Sequence, residues 1–211
     1  VRIGVAEDEA FCFYYKDNFR LLKSMGAELV TFSPMRDEHL PENLKGLILG
    51  GGYPELNARE LEANVSMRED IHRALNDGMP CLAECGGFMY LHDEMEAMDG
   101  NSYHMAGVIS GRAYRTQRLN RFGYVTLTQK KEVFGMNDMG GIPAHEFHYF
   151  DSENCGDDFD AKKPASHRKW NCIHGTDTMM AGFPHLYFYG NPKVPEAFLR
   201  KCSQYGRQDA R

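Results

Sequence analysis

The stretch Leu82-Ala83-Glu84-Cys85-Gly86-Gly87 places a cysteine between an apolar segment and a pair of glycines. Small residues around Cys85 let a sharp turn pack closely between a strand and a helix. The amide of Gly86 can then help to hold an oxyanion, and a helix start favours a thiolate. The stretch therefore predicts a strand, a turn and a helix with Cys85 as a nucleophile. The alternative is a buried core cysteine, which is our interpretation of Cys81.

The sequence before this stretch alternates short apolar runs with amphipathic helical patterns. Such alternation is typical of a parallel sheet with helices packed on it. Strands are predicted at residues 3–6, 29–32, 47–49 and 81–83. One helix is expected to begin at a cap formed by Asp17 or Asn18 and to end at Gly26. A long helix is expected over residues 57–77, ended by Gly78, with the following side chains facing inward: Leu61, Val65, Ile71 and Leu75.

The pattern changes in the second half of the chain. Short β-like segments at residues 105–109, 124–128 and 146–150 are separated by turns and indicate a partly antiparallel portion. Residues 151–170 are polar and are predicted to be a solvated excursion, and residues 194–202 a closing helix. The fold class is therefore α/β, an open, mostly parallel twisted sheet flanked by helices, with an antiparallel β portion in the second half.

Length and charge limit the classes of function. The 211 residues, with a net charge of -6, indicate one domain over residues 1–211 and argue against nucleic-acid or anionic-membrane partners. Without an apolar stretch long enough for a membrane span or a signal sequence, we expect a cytoplasmic protein. The six cysteines form no C-x-x-C pair, so free thiols are expected rather than disulfides or zinc. The chain begins with Val1 rather than Met, which indicates processing or a piece of something longer.

A cysteine nucleophile needs a base, usually a histidine that the fold brings close. His185 lies at the end of a strand-like segment, and His145, Glu146 and His148 form a second concentration. The H-E-x-H spacing could be a fragment of a metal site, but it has no third ligand nearby, and we interpret it as a strand that borders the cleft. We interpret the remaining histidines as surface or helix-face residues: His39, His72, His92, His104, His167 and His174.

Gly50-Gly51-Gly52-Tyr53-Pro54-Glu55 follows the third predicted strand. No phosphate-loop or dinucleotide pattern follows the glycines, so nucleotide binding has little support. Ligands of open α/β sheets bind at the carboxyl ends of strands, so these amides suit the second half of an oxyanion hole. A flexible turn is the alternative.

The sequence resembles the glutamine amidotransferase domain of the cobyrinic acid a,c-diamide synthase family. Three segments carry the resemblance, in this order: residues 50–55, residues 83–91 (AECGGFMYL) and residues 145–148. The resemblance covers nearly the whole chain. Cobyric acid synthases are less similar, because their elbow resembles C-G-G-Y-Q, with Gln where this chain has Met89. The wider group is the class I, or triad, glutamine amidotransferases, with a flavodoxin-like sheet.

The resemblance implies roles for individual residues. Cys85 would be the nucleophile and His185 its base, while amides of Gly51, Gly52 and Gly86 would hold the oxyanion. Tyr187 stands where class I relatives place the triad Glu, so the group that orients His185 is open. The resemblance also suggests the following cleft residues: Tyr53, Glu84, His145, Glu146, His148 and Tyr187. No metal ligand is implied.

The resemblance further implies glutamine as substrate and no cofactor in this chain. ATP and Mg²⁺ would belong to an N-terminal synthetase domain that binds a corrinoid acceptor and is absent from this sequence. Alternatives are the glutaminase domain of a related tetrapyrrole amidase, either nickel-sirohydrochlorin a,c-diamide synthase or cobyric acid synthase. A cysteine hydrolase of a related fold and a catalytically weakened docking module also remain open.

Overall fold

The computed structural model describes residues 1–119 and 121–206. The strands are β1 (Arg2–Ala6), β2 (Glu28–Phe32), β3 (Gly46–Leu49), β4 (Cys81–Glu84), β5 (His92–Glu96), β6 (Ser102–His104), β7 (Ile109–Arg115), β8 (Arg121–Gln129), β9 (Ile142–His148), β10 (Phe150–Ser152), β11 (Phe159–Lys162), β12 (Lys169–Cys172), β13 (His174–Gly175), β14 (Met179–Gly182) and β15 (His185–Leu186). The helices are α1 (Lys16–Ser24), α2 (Ala58–Ala63), α3 (Val65–Asn76), α4 (Gly86–Tyr90) and α5 (Lys193–Gln204).

The main sheet has six strands in the order β13-β14-β4-β3-β1-β2. All neighbouring pairs are parallel except β13 with β14. The four strands predicted from the first half of the sequence are therefore confirmed. The fifth parallel strand, β14, comes from near the other end of the chain and lies directly beside the strand that ends at the elbow.

Side chains of the central strands alternate between two apolar cores. Leu47 and Leu49 join a core with α2, α3 and α4, whereas Ile48 joins a core with α1, α5 and the β8–β9 pair. This period of two is what a strand buried on both faces requires. The sheet is thus the middle layer between two packed layers.

Two helix predictions need correction. Helix α1 begins at Lys16 after Tyr15, so neither Asp17 nor Asn18 is its cap. The predicted helix over residues 57–77 is two helices separated at Asn64, whose side-chain amide donates to Pro34 O and Asp37 O, each at 2.9 Å. These contacts with a distant loop fix the break, and they leave Val65 exposed rather than facing inward.

The second half forms two further sheets, ordered β10-β7-β5-β6 and β12-β11-β8-β9-β15. Most of their pairs are antiparallel, as predicted, although β5 and β7 are parallel. The expected strand at residues 105–109 is a loop until Ile109. The expected excursion at 151–170 contains β11, where Phe159 and Ala161 are fully buried, because this strand pairs with β8 and β12. Within the described ranges, no helix is long and apolar enough to cross a membrane.

Candidate active site

Cys85 lies in a strained turn between β4 and α4. Its φ of 49° and ψ of -104° are outside the regions that residues with a side chain prefer, and such strain is concentrated at functional sites. Its amide donates to Gly182 O of β14 at 2.9 Å. A Cβ on Gly87 would overlap the carbonyl of Leu49, so only glycine lets α4 approach β3 this closely. The predicted strand, turn and helix are therefore present.

The glycine run after β3 packs against this turn. Gly50 O accepts a hydrogen bond from Gly87 N at 2.8 Å, and Gly52 N lies 3.2 Å from the point that a Cβ on Gly86 would occupy. A Cβ on Gly51 would lie 2.5 Å from Cε1 of His185. The two predicted oxyanion segments are thus adjacent, and the small size of Gly51 leaves space for the imidazole.

His185 stands on the short strand β15, next to β9. It pairs with His145 in the ladder, and its Nδ1 lies 3.7 Å from Oε2 of Glu84. Burial lowers the pKa of His185 to about 4, and the neighbouring His145 and His148 act in the same direction. The imidazole is therefore neutral near pH 7 and able to accept a proton.

The position of β15 is fixed by Asn18, which sequence reasoning assigned to a helix cap. Its side-chain amide donates to Leu186 O at 2.8 Å, and its carbonyl oxygen accepts from Phe188 N at 2.9 Å. Asn18 is buried. A polar residue at a helix position that faces the core is the sequence signal that could have identified Asn18.

The thiol of Cys85 differs from the thiolate expected at a helix start. Burial, the main cause, and the Glu55 carboxylate, a second one, raise the pKa of Cys85 to about 12. The helix α4 has only five residues, so its dipole is small. Cys85 is therefore a neutral thiol and needs a base to lose its proton.

A cavity of about 810 Å³ opens at the carboxyl ends of the parallel strands and brings most of the predicted residues together. The predicted residues that line it are Gly52, Tyr53, Glu84, Cys85, His145, His148 and His185. Glu146 is fully buried, and its Oε2 lies 3.9 Å from Nε2 of His148. The half-exposed ring of Tyr187 packs against Tyr15.

Two charged residues of the cavity were missed as site residues. Glu55 closes the glycine-rich stretch after β3, and burial raises the pKa of its carboxyl. Arg115 ends β7, and no sequence pattern distinguished it. In the described part of the chain, no three His, Cys, Asp or Glu side chains are grouped to hold a metal ion.

The fold is that of the class I glutamine amidotransferases. A solved glutamine amidotransferase covers 95% of this chain and 98% of its own, with a TM-score of 0.65 and 17% identity. A solved GMP synthase subunit from Thermoplasma acidophilum covers 100% of this chain and 98% of its own, with a TM-score of 0.62 and 18% identity. Residues 2–192 match the family model of the CobB/CobQ-like glutamine amidotransferase domain, and the chain belongs to this family.

Curated relatives agree with this membership. The cobyrinate a,c-diamide synthase of Caldanaerobacter subterraneus is 40% identical over 99% of this chain and 46% of its own length. The enzyme of the same name from Picrophilus torridus is 42% identical over 96% of this chain and 44% of its own. The chain thus spans less than half the length of these relatives.

Proposed function

We propose that this chain is a single glutaminase domain that releases ammonia for a cobyrinate a,c-diamide synthase. The observation that carries the proposal is Cys85, held in a strained turn in the same cavity as His185 in a member of this family. Relatives of that name, at 35–42% identity, support the finer assignment. The free thiols suit a reducing compartment, so we place the reaction in the cytoplasm.

The first half of the reaction forms a thioester. His185 takes the proton of the Cys85 thiol as the sulfur attacks the side-chain amide carbon of glutamine. Amides of Gly86 and of Gly51 or Gly52 hold the negative oxygen of the tetrahedral intermediate. The carbon–nitrogen bond then breaks, and the proton on His185 passes to the departing ammonia.

The second half of the reaction hydrolyses the thioester and regenerates the Cys85 thiol. Neutral His185 takes a proton from water as the water oxygen attacks the thioester carbon, and the carbon–sulfur bond breaks. The proton goes to the sulfur of Cys85, and glutamate leaves. Glu55 and Arg115 supply the two opposite charges that the α-ammonium and α-carboxylate of glutamine require.

Ammonia is consumed, in this proposal, by the part of the relatives that this chain does not match. ATP and Mg²⁺ would be bound there, because this sequence has no phosphate loop and its described residues have no metal cluster. The acceptor would be the a and c carboxylates of a corrinoid. Which tetrapyrrole is amidated would be decided mostly in that part.

Exposed aromatic side chains around the cavity mouth support such a partner. We call the following nine residues the aromatic rim: Phe13, Tyr15, Tyr53, Phe122, Tyr124, Phe147, Tyr149, Tyr187 and Tyr189. Five of them line the cavity, and the others are in ring contact with lining residues or with each other. A contiguous exposed patch of this kind is typical of an interaction surface. We assign it to the ATP-binding part.

The test is glutamate release from glutamine by the purified chain, alone and joined with its ATP-binding part. Cys85→Ala is expected to abolish release, whereas Cys155→Ala, which removes a thiol outside the cavity, is expected to retain it. Unchanged release in Cys85→Ala contradicts the proposal.

Covalent trapping separates the glutaminase from a hydrolase that acts on peptides. A diazo-ketone analogue of glutamine should label Cys85, whereas peptide electrophiles should not. Labelling by peptide electrophiles alone favours the hydrolase, and no labelling by either favours a docking module.

A further inference from the structure

Glu84 is adjacent to both candidate catalytic residues, to one in the sequence and to the other in space. It is the last residue of β4 and directly precedes Cys85. Its Oε2 is 3.7 Å from Nδ1 of His185, and the two side chains are only 16% and 14% exposed. Its Oε1 accepts a hydrogen bond from the amide of Leu186 at 3.1 Å. One carboxyl group thus contacts both the base and the strand that carries it.

The backbone fixes the carboxyl group in this place. Glu84 pairs with Gly182 at the end of the parallel ladder, and Leu186 is held on its carbonyl side by Asn18. The position of the carboxyl relative to the imidazole is therefore determined by β4 and β15, two strands of different sheets, and not by a flexible loop.

The residue two positions after the base does not supply a carboxyl group. Tyr187 packs its ring against Tyr15 and Tyr189. Among the described residues, Glu84 is the only acidic side chain within 4.0 Å of a ring nitrogen of His185. His185 thus has a carboxyl neighbour, but this neighbour directly precedes Cys85 in the sequence and does not follow His185.

We propose that Glu84 is the positioning residue of this site, accepting Nδ1–H of His185 and balancing the imidazolium. The inference rests on the proposed glutaminase function. With Nδ1 protonated, the lone pair of Nε2 is free to take the proton of Cys85. That proton stays on the imidazole until it passes to the departing nitrogen, and Glu84 gains none.

The separation of 3.7 Å is longer than a hydrogen bond. Catalytic hydrogen bonds are often long in enzymes without substrate and shorten when charge develops. A positive charge on His185 would attract the Glu84 carboxylate, whereas His145 and His148, which face the same imidazole, oppose that charge. The buried Glu146 favours it. Glu84 therefore acts against two neighbouring imidazoles.

The sharpest test replaces the charge and keeps the shape. In Glu84→Gln, the side-chain oxygen can still accept from Leu186 N, but no carboxylate faces His185. We expect labelling of Cys85 by the diazo-ketone analogue to slow by about 30-fold or more, since an amide in place of an orienting carboxylate is strongly damaging in catalytic triads. Glu84→Asp should recover part of the rate.

The pH profile distinguishes positioning from a structural role. Burial raises the pKa of Glu84 to about 8, so the wild-type rate should rise with pH through a step near that value as the Glu84 carboxyl loses its proton and becomes able to balance an imidazolium. Glu84→Gln should lack this step. A Glu84→Gln rate and profile equal to those of the wild type overturn the inference.

Asp158→Asn is the matched control. The Asp158 carboxyl is 15% exposed and accepts from Gly175 N at 2.8 Å, but it does not line the cavity. We expect Cys85 of this variant to be labelled at the wild-type rate. That result would show that losing a half-buried carboxylate does not by itself slow the labelling. A loss equal to that of Glu84→Gln overturns the specific role of Glu84.

Nuclear magnetic resonance of ¹⁵N-labelled His185 provides a readout independent of labelling. Above the pH at which Glu84 loses its proton, wild-type His185 should carry its own proton on Nδ1, and Glu84→Gln should lose this preference. Protonation on Nε2 in the wild type overturns the inference even if Glu84→Gln fails to fold. If wild-type Cys85 is never labelled, the glutaminase proposal fails, while the tautomer still decides the role of Glu84.

Discussion

At Cys85, burial and helix geometry act on the thiol in opposite directions. The first turn of a helix favours a thiolate, but desolvation in the cavity outweighs five residues of helix and raises the pKa of Cys85 to about 12. In the proposed mechanism, a thiol of this kind reacts only when a bound substrate and a neutral His185 are both present. Specificity then follows from the site and not from a reactive thiolate that is always available.

This balance predicts that two reagents choose different cysteines. Iodoacetamide near pH 7.5 should modify exposed Cys12 well before Cys85. The diazo-ketone analogue of glutamine should modify Cys85 first, because its amino-acid part binds in the cavity. Peptide mass spectrometry after partial modification measures both orders. Rapid iodoacetamide modification of Cys85 would contradict the raised pKa.

His92, which we interpreted from the sequence as a surface or helix-face residue, is fully buried. Its Nδ1 donates to Phe88 O at 2.9 Å, and its Nε2 accepts from the hydroxyl of Ser152 at 2.6 Å. Burial lowers the pKa of His92 to about 4. The folded protein therefore holds His92 neutral at a pH where the unfolded chain would protonate it.

Lowering the pH from 7 to 5 should therefore reduce the free energy of unfolding through His92 by about 2 kcal/mol. The sign follows from a folded pKa below the unfolded one: stability is present above pH 6.5 and is lost as the pH falls toward 4. Urea unfolding at both pH values measures it. The loss should be smaller by that amount in His92→Gln, and an equal loss in that variant would contradict the assignment to His92.

At the scale of elements, β15 is a two-residue strand that carries His185, the candidate base. Such a short strand has few ladder hydrogen bonds. The buried side-chain amide of Asn18 adds two more, one with Leu186 O and one with Phe188 N. A helix packed on the main sheet thereby fixes the edge strand of another sheet.

Two asparagine variants should separate stability from site geometry. Asn18→Ala and Asn64→Ala each remove two side-chain hydrogen bonds to backbone and should each cost about 1–3 kcal/mol of folding stability. Only Asn18→Ala should also slow labelling of Cys85, by roughly tenfold or more, because it lets β15 move. Equal labelling rates in the two variants would show that β15 does not depend on Asn18.

Elements with a strong local period could be predicted from the sequence. Strands β1 to β4 and the turn at Cys85 follow from apolar runs bounded by glycine and polar residues. The break at Asn64 could not be predicted, because the groups that fix it lie in the loop after β2. Cys85 and His185 could be named from motif and resemblance, but the place of Glu84 depends on β14 lying beside β4 and on β15 reaching the Glu84 carboxyl group.

At the scale of the whole molecule, the aromatic rim should become protected when the chain is joined with its ATP-binding part. Hydroxyl-radical labelling of Tyr124 and Tyr189, which are 74% and 50% exposed in this chain, should then fall several-fold. Val65, which is 49% exposed on α3, should be labelled equally in both forms. Unchanged labelling of both tyrosines would place the partner on another surface.

The hydrogen bond from Cys85 N to Gly182 O has a consequence for biosynthesis. A ribosome makes the chain from its amino terminus, so β4 emerges long before β14, the strand that completes the ladder beside it. The candidate base, His185, follows just after β14. A nascent chain therefore carries Cys85 without the neighbouring strand, the candidate base or the complete cavity until residue 185 has been made, and in the proposed mechanism glutamine hydrolysis cannot begin before that point.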